Sequence, residues 1–299
     1  MERLRTMLKK SGIMTESDCP LSRHCTFRIG GEADLAVYPK SANEAVESVR
    51  LCRMSGVRTV IVGNGSNVLF ADEGFRGAVI FTVRLRGITD EPDGFYVLCG
   101  TSLAGLSTAA RDRSLSGVAF ACGIPGTLGG AICMNAGAHG GEMAGIVTET
   151  LCYDAERDCL LTLHGDEHRF GYRTSVYAEH PEWVMLEAHI RLTAGDRDAI
   201  DAEMRANLAR RRETQPLEYP SAGSAFKRPK GYFAAKLIED CGLKGYREGG
   251  AEISPKHAGF IVNRGGATAK DVLSVLDHVR KTVLRETGIA LEPEIRVIG

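Results

Sequence analysis

The sequence predicts an α+β fold divided into two domains. Three observations carry this. The chain has 299 residues, about twice the length of a common domain, with one large domain as the alternative. Strand-type and helix-type patterns both occur through residues 33–194. A charged helix then leads into Gln215-Pro216-Leu217-Glu218-Tyr219-Pro220, which breaks helix twice and suits a linker.

Composition narrows the class. With 43% hydrophobic and 25% charged residues, the chain is globular, and disordered, collagenous and coiled-coil classes are excluded. Lys+Arg total 37 against 38 Asp+Glu, a net charge of -1, which argues against a nucleic-acid partner. Apolar runs such as Ala78–Phe81 and Gly259–Val262 fall far short of the roughly 20 residues a membrane helix needs. Residues 1–10 are charged throughout and lack the apolar core of a signal peptide. A cytoplasmic location is expected, with no membrane partner and no obligate protein partner. The nine cysteines are odd in number and form no Cys-x-x-Cys pair, so neither a disulfide framework nor a zinc site is expected. Cys19, His24 and Cys25 lack a second ligand pair. His164 and His168 flank a turn-like Gly165-Asp166-Glu167. No metal is predicted.

The elements follow in order. Ala33–Tyr38 alternates and stops at Pro39, a strand. Ser41 and Glu44 read as a capping box. Ala45, Val46, Val49 and Cys52 then share a helical face up to Gly56. Thr59–Val62 is a short buried-type strand. Val79–Val83 and Tyr96–Cys99 read as strands, Leu103–Arg113 as a helix. Residues 122–145 are rich in glycine and alanine. Strands return over 151–163 and 184–192, and Asp198–Arg212 is a charged helix. Beyond the linker come a helix at Tyr232–Cys241, a strand at Gly259–Asn263, and a long helix capped by Thr268. Its apolar face is Val272, Val275, Leu276, Val279 and Val283, and Gly288 stops it. Leu291–Ile298 is extended.

Two glycine loops point to a phosphate-bearing ligand. The first is Gly63-Asn64-Gly65-Ser66-Asn67-Val68-Leu69. Glycines let backbone N–H groups approach an anion closely. Val68 replaces the third glycine of a Rossmann fingerprint, and no Lys-Ser or Lys-Thr follows, so neither a Rossmann nor a Walker loop fits. A tight turn after a strand is the alternative. The second loop is Gly123-Ile124-Pro125-Gly126-Thr127-Leu128-Gly129-Gly130, with Asn135-Ala136-Gly137 beyond it. Its alternative is close helix packing through small residues. Two such loops suit a dinucleotide better than a mononucleotide.

These loops, together with Thr26-Phe27-Arg28-Ile29-Gly30-Gly31, give a sequence that resembles the UDP-N-acetylenolpyruvoylglucosamine reductases over nearly its whole length. Three further motifs make the likeness specific: Gly171-Tyr172-Arg173-Thr174-Ser175, Ala222-Gly223-Ser224-Ala225-Phe226-Lys227 and Leu291-Glu292-Pro293-Glu294-Ile295-Arg296. The resemblance implies a vanillyl-alcohol-oxidase-type FAD-binding domain of two α+β subdomains plus a smaller α+β substrate domain. The expected division is 1–200 for FAD, in subdomains of about 1–56 and 57–200, with the tail 288–299 returning to the site. Residues 201–287 are then expected to hold a UDP-sugar.

The resemblance also implies the chemistry. FAD is the cofactor and NADPH the electron donor. The substrate is an enol ether conjugated to a carboxylate. Arg173, Ser224 and Glu294 are the implied catalytic residues. Hydride adds to the outer alkene carbon, and negative charge spreads into the carboxylate. A planar guanidinium at Arg173 suits that charge. A protonated Glu294 could hydrogen-bond the same oxygens, which needs a pKa raised by burial. Ser224 is the implied proton donor to the inner carbon. Each also has a plainer reading: Arg173 as a surface residue, Ser224 as a turn cap, Glu294 as solvated.

The implied cofactor-binding residues are Gly63, Asn64, Gly65, Ser66, Asn67, Leu69, Gly123, Ile124, Pro125, Gly126, Thr127, Gly129, Gly130, Asn135 and Gly137. For the sugar nucleotide they are Tyr172, Lys227, Arg228 and His257. Residues 203–236 hold eight basic and three acidic residues, a surplus suited to a pyrophosphate. His257 has an alternative as a partly buried histidine bonded to backbone. No insertion bearing a lid tyrosine follows Arg173, so the chain resembles a shorter subtype. With no separate NADPH motif, donor and substrate are expected to share one pocket in turn. An FAD oxidase of the same fold and a catalytically silent nucleotide-binding protein are the competing functions.

Overall fold

The computed structural model describes all residues, Met1–Gly299. The chain forms two compact units. The first comprises Met1–Ser17, Leu35–Asn64 and Gly77–Arg210, the second Asp18–Asp34, Gly65–Arg76 and Arg211–Gly299. This differs from the linear partition at residue 200. Two short N-terminal segments and the tail join the C-terminal unit, because their hydrogen bonds are made with residues distant in sequence.

In the first unit the main sheet has five antiparallel strands, in the order Cys159–His164, Val147–Asp154, Trp183–Arg191, Gly94–Leu98 and Ile88–Glu91. Phe95, Val97, Cys152, Val184, Leu186, Ala188 and Ile190 are buried in one core with Leu103, Leu106 and Ala110 of helix Leu103–Asp112. The edge strand Cys159–His164 alternates half-buried and exposed positions, as expected of a sheet with one covered face. The stretch read as strand over 151–163 is thus a hairpin. Asp154 turns it, its carboxylate accepting the N–H groups of Glu156 at 2.8 Å and Arg157 at 3.0 Å, a local bond that competes with the ladder.

Thr59–Val62 runs parallel to Phe75–Phe81. The latter begins earlier and ends sooner than the expected 79–83, because Thr82–Arg84 turns into a 3-10 segment. Helix Ala42–Met54 starts at Ser41, whose Oγ accepts the Glu44 N–H at 3.2 Å. Only half of the expected capping box forms. The Glu44 carboxylate takes the Lys40 N–H instead, at 3.0 Å.

The second unit is built on a four-stranded sheet in the order Ser221–Ser224, Phe260–Asn263, Ala251–Ile253 and Arg247–Glu248. Helix Ala269–Thr287 packs on it, burying Val272, Val275, Leu276, Val279 and Val283. Thr268 and Asp271 form its capping box, and Gly288 ends it at φ +72°. Asp72 adds a second anion there, accepting the N–H groups of Ala269 at 2.7 Å and Lys270 at 3.0 Å. A carboxylate at a helix N-terminus is stabilised by the unpaired amides and the dipole. The tail strand Arg296–Ile298 pairs in parallel with Val68–Phe70. The expected helix at 232–241 is shorter, Ala234–Asp240.

None of the nine cysteines is in a disulfide, and six are buried. Burial pushes the Cys99 thiol up to about 12 and Cys52 to about 11, so these behave as small apolar side chains. No helix is long and apolar enough to cross a membrane.

His168 gives a testable pH dependence. It is fully buried, its Nδ1 lies 2.9 Å from the Gly165 carbonyl, and its Nε2 lies 3.0 Å from Thr150 Oγ1. The carbonyl can only accept, so Nδ1 carries the proton and Nε2 accepts from Thr150. Burial holds its pKa below the ordinary 6.5. Below that ordinary value the unfolded chain binds a proton that the folded chain resists. Stability is therefore present above pH 6.5 and declines as the pH falls toward the folded pKa. Thermal unfolding should show the midpoint dropping on acidification below 6.5, with a shallower drop in His168→Gln. An equal slope in the variant would remove His168 as the cause.

Candidate functional site

The first unit joins the start of one glycine loop to the other. The Asn64 amide donates to the Pro125 carbonyl at 2.7 Å. Gly63 faces Thr127 so closely that a Cβ there would lie 2.2 Å from Thr127 Oγ1. That hydroxyl is buried and has no hydrogen-bond partner within the protein. A buried unsatisfied hydroxyl beside a bare glycine is an arrangement that calls for a ligand oxygen. The amides of Ile124, Leu128 and Gly129 are already engaged by the carbonyls of Ala121, Thr101 and Cys99. Gly129 also packs tightly, since a Cβ there would meet Cys99 Cβ at 3.0 Å.

The same unit carries the arginine motif. Gly171 and Thr174 exchange backbone hydrogen bonds at 3.0 and 3.3 Å, leaving Tyr172 and Arg173 at the tip of a tight turn. Tyr172 is exposed, and the Arg173 guanidinium lies 5.1 Å from the centre of its ring. Arg173 Nη2 donates to the Gly137 carbonyl at 3.4 Å. Its backbone is left-handed, φ +57°, a conformation costly for a residue with a Cβ.

The second unit brings Ser224 and Glu294 onto neighbouring segments. Strand Ser221–Ser224 carries a bulge against Phe260–Asn263, with Ser221 opposite Val262 and Ser224 opposite Phe260. Gly223 takes up the distortion at φ +77°. A bulge re-aims the side chain that follows it, here the exposed Ser224. The next residues pair with the tail. The Glu294 N–H donates to the Ala225 carbonyl at 2.9 Å, the Lys227 N–H to the Glu292 carbonyl at 2.9 Å, and Phe226 bridges Pro293. Asn67 holds the tail as well, its amide donating to the Glu294 carbonyl at 3.0 Å. Gly65 belongs to the same unit, its carbonyl accepting the Thr26 N–H at 3.2 Å. Ser66 lies between them. Leu69 is wholly buried and pairs with Val297, so its side chain serves packing.

The basic surplus is partly offset by partners outside the window in which it was counted. Lys227 Nζ lies 2.6 Å from Glu292, and Lys236 pairs with Asp240 at 2.6 Å. The Arg228 guanidinium lies 4.5 Å from the Phe233 ring centre. His257 is bonded to backbone through one ring nitrogen: Nδ1 accepts the Gly259 N–H at 3.1 Å, and burial holds its pKa below the ordinary value. The neutral ring therefore carries its proton on Nε2.

Three positions with structural roles in this unit went unassigned in the sequence. Thr26 Oγ1 donates to the Ser221 carbonyl at 2.6 Å, the Asn263 amide donates to the Phe27 carbonyl at 3.2 Å, and Asp72 caps the long helix. The only signal for them was the Thr26–Gly31 motif, to which no role was attached.

Fold and glycine cradle define an FAD-binding oxidoreductase class. A family model described as an FAD binding domain matches residues 33–153. Another, described as the C-terminal domain of UDP-N-acetylenolpyruvoylglucosamine reductase, matches residues 215–298. The reductase of that name from Clostridium perfringens strain SM101 is 46% identical over 282 residues, covering 94% of this chain and 92% of its own. That of Caldanaerobacter subterraneus subsp. tengcongensis is 43% identical over all 299 residues and 98% of its own length. The crystal structure of UDP-N-acetylenolpyruvylglucosamine reductase from Thermus caldophilus superposes with a TM-score of 0.79 at 33% identity, covering 96% of this chain and 99% of that one. The chain belongs to the UDP-N-acetylenolpyruvoylglucosamine reductase family, and its cofactor is FAD.

Proposed function

We propose that this chain reduces the enolpyruvyl ether of UDP-N-acetylglucosamine to UDP-N-acetylmuramate, a peptidoglycan precursor, with NADPH as the electron donor. The observation that carries the reading is the pairing of the Glu294 tail with the residues directly after Ser224. Two of the three implied catalytic residues thus lie on hydrogen-bonded neighbouring segments, which supports the reading. Reduced FAD, when bound, supplies the hydride that adds to the outer alkene carbon.

The chain's own residues supply the rest. The guanidinium of Arg173 stabilises the charge that develops on the conjugated carboxylate, because a fixed cation in a water-poor site needs no reorganisation. The Ser224 hydroxyl delivers a proton to the inner carbon. Glu294 hydrogen-bonds the carboxylate oxygens. The first unit holds FAD through Gly63, Asn64 and the Gly123–Gly130 loop, with the Thr127 hydroxyl as one donor. The second unit holds the UDP portion, with Arg228 and the Nε2–H of His257 as contacts. Lacking a lid insertion after Arg173, the chain is of the shorter subtype. Donor and substrate react with the flavin in turn, so steady-state kinetics should be ping-pong.

The test is anaerobic. The purified protein should be yellow, NADPH should bleach it, and the enolpyruvyl sugar nucleotide should restore the colour without oxygen. Colour restored only by oxygen would favour an FAD oxidase.

The cradle itself is testable. Gly63→Ala places a methyl against Thr127, and an overpacking cost of roughly 1–3 kcal/mol borne by the FAD-bound loop weakens FAD binding by about 5- to 150-fold. In a Thr127→Ala background the same substitution should add little. An unchanged FAD affinity in Gly63→Ala would remove the loop from the cofactor site.

A further inference from the structure

We propose that Asn135 is a positioning residue for Arg173, tying the end of the glycine-rich segment to the turn that carries the guanidinium. The inference rests on the reading of Arg173 given above. Asn135 is 1% exposed, and its amide is used at both ends. Nδ2 donates to the Gly171 carbonyl at 3.0 Å, and Oδ1 accepts the Ala144 N–H at 2.9 Å. The Gly171 carbonyl is also the acceptor that closes the turn from Thr174 at 3.3 Å. Asn135 therefore binds the base of the turn, and Tyr172 and Arg173 form its tip.

A second tether lies alongside. Helix Leu128–Cys133 ends two residues before Asn135, and the Cys133 carbonyl accepts from Ser175 Oγ at 2.9 Å. A third contact runs from the tip, where Arg173 Nη2 reaches the Gly137 carbonyl at 3.4 Å. Three hydrogen bonds thus join residues 133–137 to residues 171–175. Asn135 itself has φ +44°, a region that asparagine tolerates better than most residues. Arg173 is held at φ +57°. A left-handed residue at a turn tip persists only where its surroundings fix it, and Asn135 and Ser175, each 1% exposed, are the buried side chains among those surroundings. Both ends of the Asn135 side-chain amide are engaged within this segment, one of them by the base of the arginine turn.

The experiment compares Asn135→Gly and Asn135→Asp, each alone and with Arg173→Gly. Glycine removes the amide without a penalty for positive φ, and aspartate keeps the shape but replaces the Nδ2 donor. Anaerobic re-oxidation by substrate should slow at least about 10-fold more than bleaching by NADPH does, since a 1 Å misplacement of a positioned group can cost about 10²-fold. In the Arg173→Gly background the Asn135 substitutions should slow re-oxidation no further, because both act through one group. Ser175→Ala cuts the second tether and should show the same dependence on Arg173, which keeps the test decisive where an Asn135 variant fails to fold.

Equal slowing in both backgrounds would assign Asn135 a general structural role and overturn the proposal. Loss of FAD from both folded variants would return Asn135 to the cofactor's own site, with the same result. A normal rate in Arg173→Gly alone would remove the underlying reading of the arginine. A slow Arg173→Gly beside a normal Asn135→Gly would remove the positioning role alone.

Discussion

Replacing Ser224 with alanine should leave NADPH bleaching of the flavin intact while slowing anaerobic re-oxidation by the enolpyruvyl substrate at least about 10²-fold, the lower end of what a positioned proton donor contributes. On the proposed mechanism the two half-reactions separate, because the hydroxyl acts only after hydride has reached the substrate. A hydroxyl is a weak acid in water, but the carbon it serves is strongly basic once it carries enolate charge. The expectation rests on the local geometry. The bulge at Gly223 sets Ser224 at the end of its strand, and the hydrogen bonds from residues 225–227 to 292–294 fix the strand's continuation. The fold should tolerate the change, because Ser224 is exposed and alanine keeps its backbone. Equal loss in both half-reactions would point to a structural defect, and normal re-oxidation would take Ser224 out of the mechanism.

What was legible in the sequence was what short-range chemistry encodes. The Thr268 cap, the five apolar residues of one face and Gly288 delimit helix Ala269–Thr287 in sequence and structure alike, because each signal acts within a turn or two. Thr59–Val62 is read off its β-branched run in the same way. The motif order identified the family, and so the FAD fold. Long-range partners were not legible. Glu292 pairs with Lys227 across 65 positions, so a charge count over a short window overstated the local surplus. Leu69 lies in a glycine loop by sequence and in a parallel strand pair by structure, because its partner Val297 comes from the tail. Segments 18–34 and 65–76 join the C-terminal unit through contacts such as Asn263 to Phe27, 236 residues apart. No periodicity records such a contact.

The left-handed backbone of Arg173 was equally hidden, and it yields a prediction with two separable parts. Arg173→Gly and Arg173→Ala both delete the guanidinium, and both should slow substrate re-oxidation by about 10²–10³-fold, the loss typical of removing one preorganised donor to developing charge. Their stabilities should diverge. At φ +57° alanine keeps a Cβ clash that glycine lacks, so the glycine variant should be the more stable by roughly 1 kcal/mol. Arg173→Lys tests charge against shape. An ammonium keeps the charge but not the planar fork, so its rate should lie between those of arginine and alanine. Guanidinium chloride added at non-denaturing concentration should partly restore Arg173→Gly, where space has opened, and should not accelerate the parent. Chemistry and backbone are thus read out by different measurements on the same variants. A glycine variant that re-oxidises at the parental rate would end the electrostatic role, and one less stable than the alanine variant would show that the turn does not need the left-handed conformation seen at its tip.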